Sequence, residues 1–457
     1  MATTRRSAPR FIHVDRVEVY LWNRLAGVVA LDPSYGYYAF RFTPEFRATA
    51  IDPAPLHMPI REDRTFIFTD LPEPTYRRLP AMLSDALPDD FGNALIDRYM
   101  ADRGISAREV TPLDRLAYMS NRAMGALQFR PARGPRTHAA TPVELGDLVS
   151  QARKAVSGSI AHDDVASAAL RSIIEVGTSA GGARAKAVIA WNSNTNEIRT
   201  GQLAAPPGFD HWLLKFDGMG SDRELGSTGH YGRIEYAYYL MAREAGLDMM
   251  ECRLLEESGR AHFMTRRFDR EQTDVRHHVQ TLCAMAHLDY KKKGTNAYSQ
   301  LFTTMRELNL PYQDREEAFR RMVFNAIGRN CDDHTKNFAF RLRQGRSWEL
   351  APAYDVTFAH NPKGEWTHQH LMSINGKFKD FDEQDLLAEA TRFAIGTAPA
   401  VIDRVRAAIL RWPVFAERAG LAEAQARRIG DELLPLRGRQ KPSIAGRPRR
   451  ASGPPGD

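Results

Sequence analysis

The sequence predicts an α+β protein of two lobes, strand-rich then helix-rich, behind a small N-terminal α+β module. Three observations predict it. Short apolar runs bounded by polar turns crowd the middle of the chain. Apolar spacing turns helical after about residue 275. A length of 457 residues exceeds what one ordinary core supports. The expected units are 1–130 (N-terminal module), 131–270 (strand-rich lobe), 271–435 (helical lobe) and a basic tail at 436–457.

The module begins with a hairpin, Val17–Trp22 and Leu25–Leu31 about a turn at Asn23-Arg24, followed by an aromatic strand over Tyr35–Phe42. Ala81–Tyr99 has helical character, with Pro80 suited to a first turn and Pro88–Gly92 expected to break it. Residues 132–142 are Pro-, Gly- and Thr-rich and predict a linker. Leu145–Val156 and Asp163–Val176 predict helices. Strands follow over Ala187–Trp191, Glu197–Thr200 and His211–Phe216. Arg233–Ala245 spaces Ile234, Ala237, Leu240 and Met241 as a helix and stops at Gly246. Cys252–Glu256 and Ala261–Arg267 flank a Ser258-Gly259 turn. Helices are then expected over Val279–Met285, Tyr298–Leu308, Arg315–Ile327, Leu386–Phe393, Ala398–Arg411 and Leu421–Leu434.

Composition narrows the class. Hydrophobic residues at 43% and charged ones at 26% describe a soluble globular chain. No apolar run is long enough to span a bilayer, and the start lacks the apolar core of a signal peptide, so the cytoplasm is the expected compartment. Cys252, Cys283 and Cys331 fall in no CxxC spacing, which excludes a zinc ribbon or a disulfide scaffold. Lys and Arg total 63 against 56 Asp and Glu, a net charge of +7. Much of that excess sits in the Pro/Gly-rich tail, which predicts a solvated segment adding salt-dependent affinity for nucleic acid near a partner.

The chemistry concentrates in Asn330–Asn337, where Asp332 and Asn337 stand in D-x-x-x-x-N register. A kinase catalytic loop uses that spacing so that the Asp takes the acceptor proton while the Asn holds Mg²⁺. Phe338, Phe340 and Leu342 then alternate as a strand, Gln344-Gly345 turns, and Trp348–Leu350 returns before Asp355. Loop, hairpin and metal-binding acid is the order phosphoryl transfer needs. The same residues have other readings. The acids could cap a helix or belong to a solvated loop. Asp and His could ligate the metal of a hydrolase, and Cys331 with His334 could form a nucleophile pair.

Upstream, Gly177–Lys186 is a small-residue turn ahead of a strand. Its backbone N–H groups, with Arg184 or Lys186, suit phosphates. It is not a Walker loop, because Ala183 follows Gly182 where a Lys is required. A plain tight turn is the alternative. Lys215 is the one charge in Trp212–Phe216, either an edge lysine reaching water or the phosphate lysine of a kinase strand, with Glu235 able to pair with it. Backbone groups from Arg266 to Phe268 fall where adenine would be recognised between lobes.

Together these motifs resemble the HipA-type serine/threonine kinases, toxins of bacterial toxin–antitoxin systems. The likeness rests on TSAGGARAK (178–186), HWLLKF (211–216), RIEYAYYLMAREAGL (233–247), TRRFDR (265–270), NCDDHTKNFAF (330–340) and LAPAYDV (350–356), with LPDDFGNALI (87–96) matching more loosely. It implies a bilobal protein-kinase-like fold using ATP and Mg²⁺. Asp332 would be the catalytic base, with Lys336 offsetting phosphoryl charge. Asn337 and Asp355 would hold the metal. Lys215 and Lys186 would hold phosphates beside Ser179, Gly181 and Gly182, with Arg266 and Phe268 at the adenine. Ser179 matches the serine that relatives phosphorylate on themselves. The implied substrate is an aminoacyl-tRNA synthetase and the implied partner a helix-turn-helix antitoxin, with DNA reached only through that antitoxin. Arg266 departs from the acid some relatives carry there. A small-molecule kinase, or a kinase-fold co-repressor acting by binding, remains the alternative.

Overall fold

The computed structural model describes residues 11–88, 90–135, 140–156, 185–218, 230–271 and 274–433. Strands β1 (Arg16–Leu21), β2 (Arg24–Asp32) and β3 (Tyr37–Phe42) open the chain. The turn between β1 and β2 places Trp22 and Asn23 at φ of 49° and 61°, the left-handed pair that a two-residue hairpin needs. Short helices follow: α1 (Pro44–Arg47), α2 (Glu73–Tyr76) and α3 (Ala81–Ser84). The expected 81–99 helix is split, because the chain leaves α3 at Asp85 and starts again as α4 (Asp90–Ala101). Helix α5 (Pro112–Met119), not foreseen, opens with a reciprocal Thr111–Asp114 capping box. It leads to β4 (Leu127–Arg130), also unforeseen, which closes a sheet of order β3-β2-β1-β4.

Helix α6 (Leu145–Val156) falls where its periodicity placed it; the helix expected at 163–176 and the basic tail lie outside the described residues. Strands β5 (Lys186–Trp191), β6 (Ile198–Thr200), β7 (Asp210–Lys215), β8 (Cys252–Glu257) and β9 (Arg260–Arg266) form a second sheet, order β6-β5-β7-β9-β8. Between β7 and β8, α7 (Tyr231–Ala245) runs to a left-handed Gly246. Its first turn presses on the sheet: a Cβ on Gly232 would lie 2.0 Å from the Ala261 carbonyl oxygen, so only glycine permits the approach.

The third part is mainly helical. It holds β10 (His278–Thr281), α8 (Leu282–Met285), β11 (Asn296–Ala297), α9 (Tyr298–Glu307), α10 (Tyr312–Ile327), β12 (Ala339–Leu342), β13 (Trp348–Leu350) and β14 (Met372–Ser373). It ends in α11 (Glu383–Arg392), α12 (Ala398–Leu410), α13 (Trp412–Arg418) and α14 (Glu423–Glu432). The helix expected over 279–285 is corrected. His278–Thr281 pairs with β12 as a strand, and Thr281 then caps the single turn of α8. Pairing with a strand some 60 residues away overrides a local apolar pattern.

Two cores result. The N-terminal sheet and the inner face of the second sheet share one, with Val17, Phe40, Phe129, Ile189, Trp212 and Leu214 in a single cluster. Helix α7 instead contributes Ile234, Tyr238 and Met241 to the other, with Phe302, Phe319, Phe324 and Val405. The fold is thus α+β and bilobal, and α7 anchors the strand-rich lobe to the helical one.

The connection between lobes is tied to the N-terminal module by buried charge. Asp269 accepts two hydrogen bonds from Arg267 at 2.8 and 2.6 Å, one from Arg270 at 2.8 Å and one from the Gly125 N–H at 2.7 Å. Arg270 also donates to the carbonyls of Gly125 and Ala123. Burial alone would raise the Asp269 carboxyl; the Arg267 and Arg270 charges outweigh it and hold the group well below the usual carboxylate range. Neutralising it would leave two guanidinium groups buried without their anion. Asp269→Asn is expected to lower the unfolding free energy by about 3–5 kcal/mol in urea titrations; a loss under ~1 kcal/mol would contradict the tie.

Candidate active site

Lys215, the last residue of β7, stands opposite Lys186 on β5 and Phe263 on β9. Its ammonium donates to Glu235 Oε1 at 2.5 Å and to Asp355 Oδ1. Glu235 is buried on the second turn of α7, so the tight Gly232 contact with β9 sets where its carboxylate lies. Burial would depress the Lys215 ammonium, yet the two carboxylates raise it above the ordinary lysine range. Asp355 is shifted the opposite way, downward: Lys215 and then Lys186 overcome its own burial. Its φ is 53°, a left-handed conformation rare for a residue with a Cβ and typical of strained functional positions.

The loop before β12 supplies the facing groups. The Asp332 carboxylate is about half exposed (48%), and His334 Nε2 lies 3.8 Å from it. Asn337 Nδ2 donates to the Asp332 carbonyl at 2.7 Å, so the two residues in D-x-x-x-x-N register are held together through backbone. Tyr354 donates to the Lys336 carbonyl at 2.6 Å and stacks on Phe268 with centroids 5.7 Å apart. The Lys336 ammonium lies 5.0 Å from the centre of the Tyr290 ring.

Beneath this loop Asp333 turns inward, and sequence alone did not separate it from Asp332. Its carboxylate accepts from Tyr298 at 2.8 Å, His370 Nδ1 at 2.8 Å and the Leu371 N–H at 2.7 Å. Burial would lower the His370 imidazole, but the Asp333 charge raises it to about 10. Asp332 therefore directly precedes on the chain, and is held beside, a residue fixed in an internal ion pair. Cys331 is buried next to it, with its N–H bonded to the Ala359 carbonyl, so the Cys331–His334 nucleophile reading loses the exposed thiol it needs.

A cleft between the lobes collects Lys215, Glu235, Lys336, Asn337 and Asp355 with Leu213, Phe263, Arg266, Phe268 and Val279. Arg266 borders it, yet its guanidinium lies 4.0 Å from Asp210, on an exposed side. Lys186 is buried behind Lys215 on the neighbouring strand, and its charge acts on Asp355. Ser179, Gly181 and Gly182 lie outside the described residues. The cleft also has a wall from the N-terminal module: Met82, Asp85, Ala86, Met124 and Leu127. Nothing in their spacing marked them; only the folded chain brings them here. Asn337 and Asp355 offer hard oxygen ligands of the kind Mg²⁺ takes in ones or twos alongside phosphate. Among the described residues no group of three or more His, Cys, Asp or Glu is placed to hold a metal.

Comparison with known proteins bears on the family and the fold. A family model for the HipA-like C-terminal domain matches residues 178–434, and one for the HipA N-terminal domain matches residues 17–130. HipA of the Shewanella oneidensis MR-1 toxin–antitoxin system, solved with HipB and operator DNA, has a TM-score of 0.66 at 17% identity. That match covers 91% of this chain and 94% of that one, so the fold is shared. The Helicobacter pylori proinflammatory kinase CtkA matches with a TM-score of 0.32 and 13% identity over 49% of this chain and 85% of that one.

The Asp333–His370 pair has a pH signature. Its folded imidazole titrates near 10, above an unfolded value of about 6.5. Its contribution to stability is therefore complete below about pH 6.5 and is lost as pH rises through about 10. Denaturant titrations of wild type and His370→Gln should show a gap that narrows over that window. A gap that stays constant or widens there would contradict the ion pair.

Proposed function

The chain belongs to the HipA family, and from that premise we propose that it is a protein serine/threonine kinase dependent on ATP and Mg²⁺, a HipA-like toxin. The observation that carries the reading is the Lys215–Glu235–Asp355 cluster facing Asn337 and the Asp332 loop across one cleft. The working units we assign are 1–130, 131–270 and 271–435, with 436–457 a basic tail.

Lys215 and Lys186 would hold phosphate oxygens, together with the loop carrying Ser179, Gly181 and Gly182. Backbone groups around Arg266 and Phe268 would meet the adenine, against the stacked Phe268–Tyr354 pair. Asn337 and Asp355 would hold Mg²⁺. When bound, ATP supplies the phosphoryl group and the metal neutralises charge on its oxygens. The remaining work falls to this chain's own residues. Asp332 orients the acceptor hydroxyl and takes its proton, Lys336 adds positive charge beside it, and the internal Asp333–His370 pair keeps Asp332 aimed.

The solved HipA relative sits with HipB on operator DNA, which supports a HipB-like helix-turn-helix antitoxin as the partner here, with DNA contacted through it. The proposed protein substrate is an aminoacyl-tRNA synthetase, whose phosphorylation would stop translation and arrest growth. Ser179 is the proposed self-phosphorylation site, where a dianion would repel the nucleotide phosphates. The proposed compartment is the cytoplasm. Among the described residues no helix is long and apolar enough to cross a membrane.

Purified protein incubated with γ-labelled ATP and Mg²⁺ should label itself on Ser179, with the site mapped by mass spectrometry. Asp332→Ala should lower the rate by about 10²–10⁴-fold. Transfer to a small alcohol with no protein label would favour a small-molecule kinase. No transfer and no ATP-induced thermal shift would favour a co-repressor acting by binding.

A further inference from the structure

The N-terminal module places one acid in the cleft, and no motif pointed to it. Asp85 leaves the end of α3, ahead of the break that the sequence placed at Pro88–Gly92. Its carboxylate reaches across to the helical lobe, accepting the Thr281 N–H at 2.7 Å and the Thr281 hydroxyl at 2.8 Å. Thr281 is the residue where β10 becomes α8, and its hydroxyl also caps that turn. Asp85 and Lys336 line the same cleft with Asn337 and Asp355. Burial raises the Asp85 carboxyl, against the opposing charge of Lys336 and the Thr281 hydrogen bonds.

We propose that Asp85 is a positioning residue for phosphoryl transfer: it fixes Thr281 and the start of α8, whose Leu282 N–H is bonded to the Phe338 carbonyl at the end of the catalytic loop, so the N-terminal module completes the active site. The module makes other contacts with the same lobe. Thr75 donates to Asp289 at 2.5 Å and Tyr76 to the Cys283 carbonyl at 3.0 Å. Neither Thr75 nor Asp289 lines the cleft. A general docking role and a positioning role can therefore be separated.

The inference rests on the kinase reading, so wild-type protein must first transfer phosphate. If it does not, that reading fails and not this one. With transfer established, Asp85→Asn is expected to lower the turnover rate by about 10- to 100-fold, the scale of a misplaced catalytic group. Its ATP affinity, measured by calorimetry, should stay within about twofold of wild type. Thr75→Val should leave turnover unchanged. Should Asp85→Asn fail to fold, Thr281→Val removes one of the two hydrogen bonds and should lower turnover with ATP affinity preserved. Wild-type turnover in Asp85→Asn, or in Thr281→Val where that variant is the one read, overturns the proposal. So does an equal loss in Thr75→Val.

Discussion

One part-buried ammonium group organises this protein. Lys215 leaves the end of a strand, Glu235 comes from a helix in the other core, and Asp355 comes from a turn 140 residues further along the chain. An ammonium so placed is costly without partners, and each carboxylate is costly without it. The three therefore hold together the sheet, the helix and the catalytic-lobe turn, and the rest of the fold has to deliver them to one point. Pairing of β7 with β9 places the lysine. The close approach of Gly232 to the Ala261 carbonyl places the glutamate. A left-handed backbone places the aspartate. The same charges would meet an incoming phosphate and its cation, so the constraint that stabilises the cleft also defines what it can receive.

The N-terminal module belongs to this arrangement and is more than an appendage. It shares a core with the strand-rich lobe, clamps the inter-lobe connection through Asp269, and reaches the helical lobe through Asp85 and Thr75. Contacts of Trp22 with the Arg276 carbonyl and of Trp348 with the Asp52 carbonyl add to the same seam. The module is thus fastened to both lobes and to their connection. That sets this architecture apart from two lobes joined by a single hinge.

How much of this was legible in the sequence depends on the range of the interaction. Strands β5, β7, β8 and β9 and helix α7 showed as local alternation or helical spacing, because each buries one face against a core. Asp332, Asn337, Asp355 and Lys215 showed because their chemistry demands a fixed spacing or a lone charge among apolar residues. Asp333 did not, since which of two adjacent acids turns inward is decided by His370 and Leu371, 37 and 38 residues away. Asp85 meets a partner 196 residues distant, and no local pattern carries that information. The strand at 278–281 read as helix because Val279 extends the apolar spacing of Leu282 and Met285, until β12 pairs with it. Ser179, Gly181 and Gly182, read from a small-residue run, fall outside the described residues, so their part stays with the sequence and the family likeness.

The central claim is that the Lys215 cluster is the seat of a nucleotide phosphate and its metal. Calorimetric titration with ATP, in the presence and absence of Mg²⁺, on wild type, Lys215→Met and Asp355→Asn tests it most directly. The account predicts binding to wild type that tightens with Mg²⁺. Lys215→Met should weaken it by about tenfold or more, the worth of one charge-assisted hydrogen bond, and Asp355→Asn should abolish the Mg²⁺ dependence. Absence of ATP binding, or binding indifferent to Mg²⁺ and to both substitutions, would contradict it.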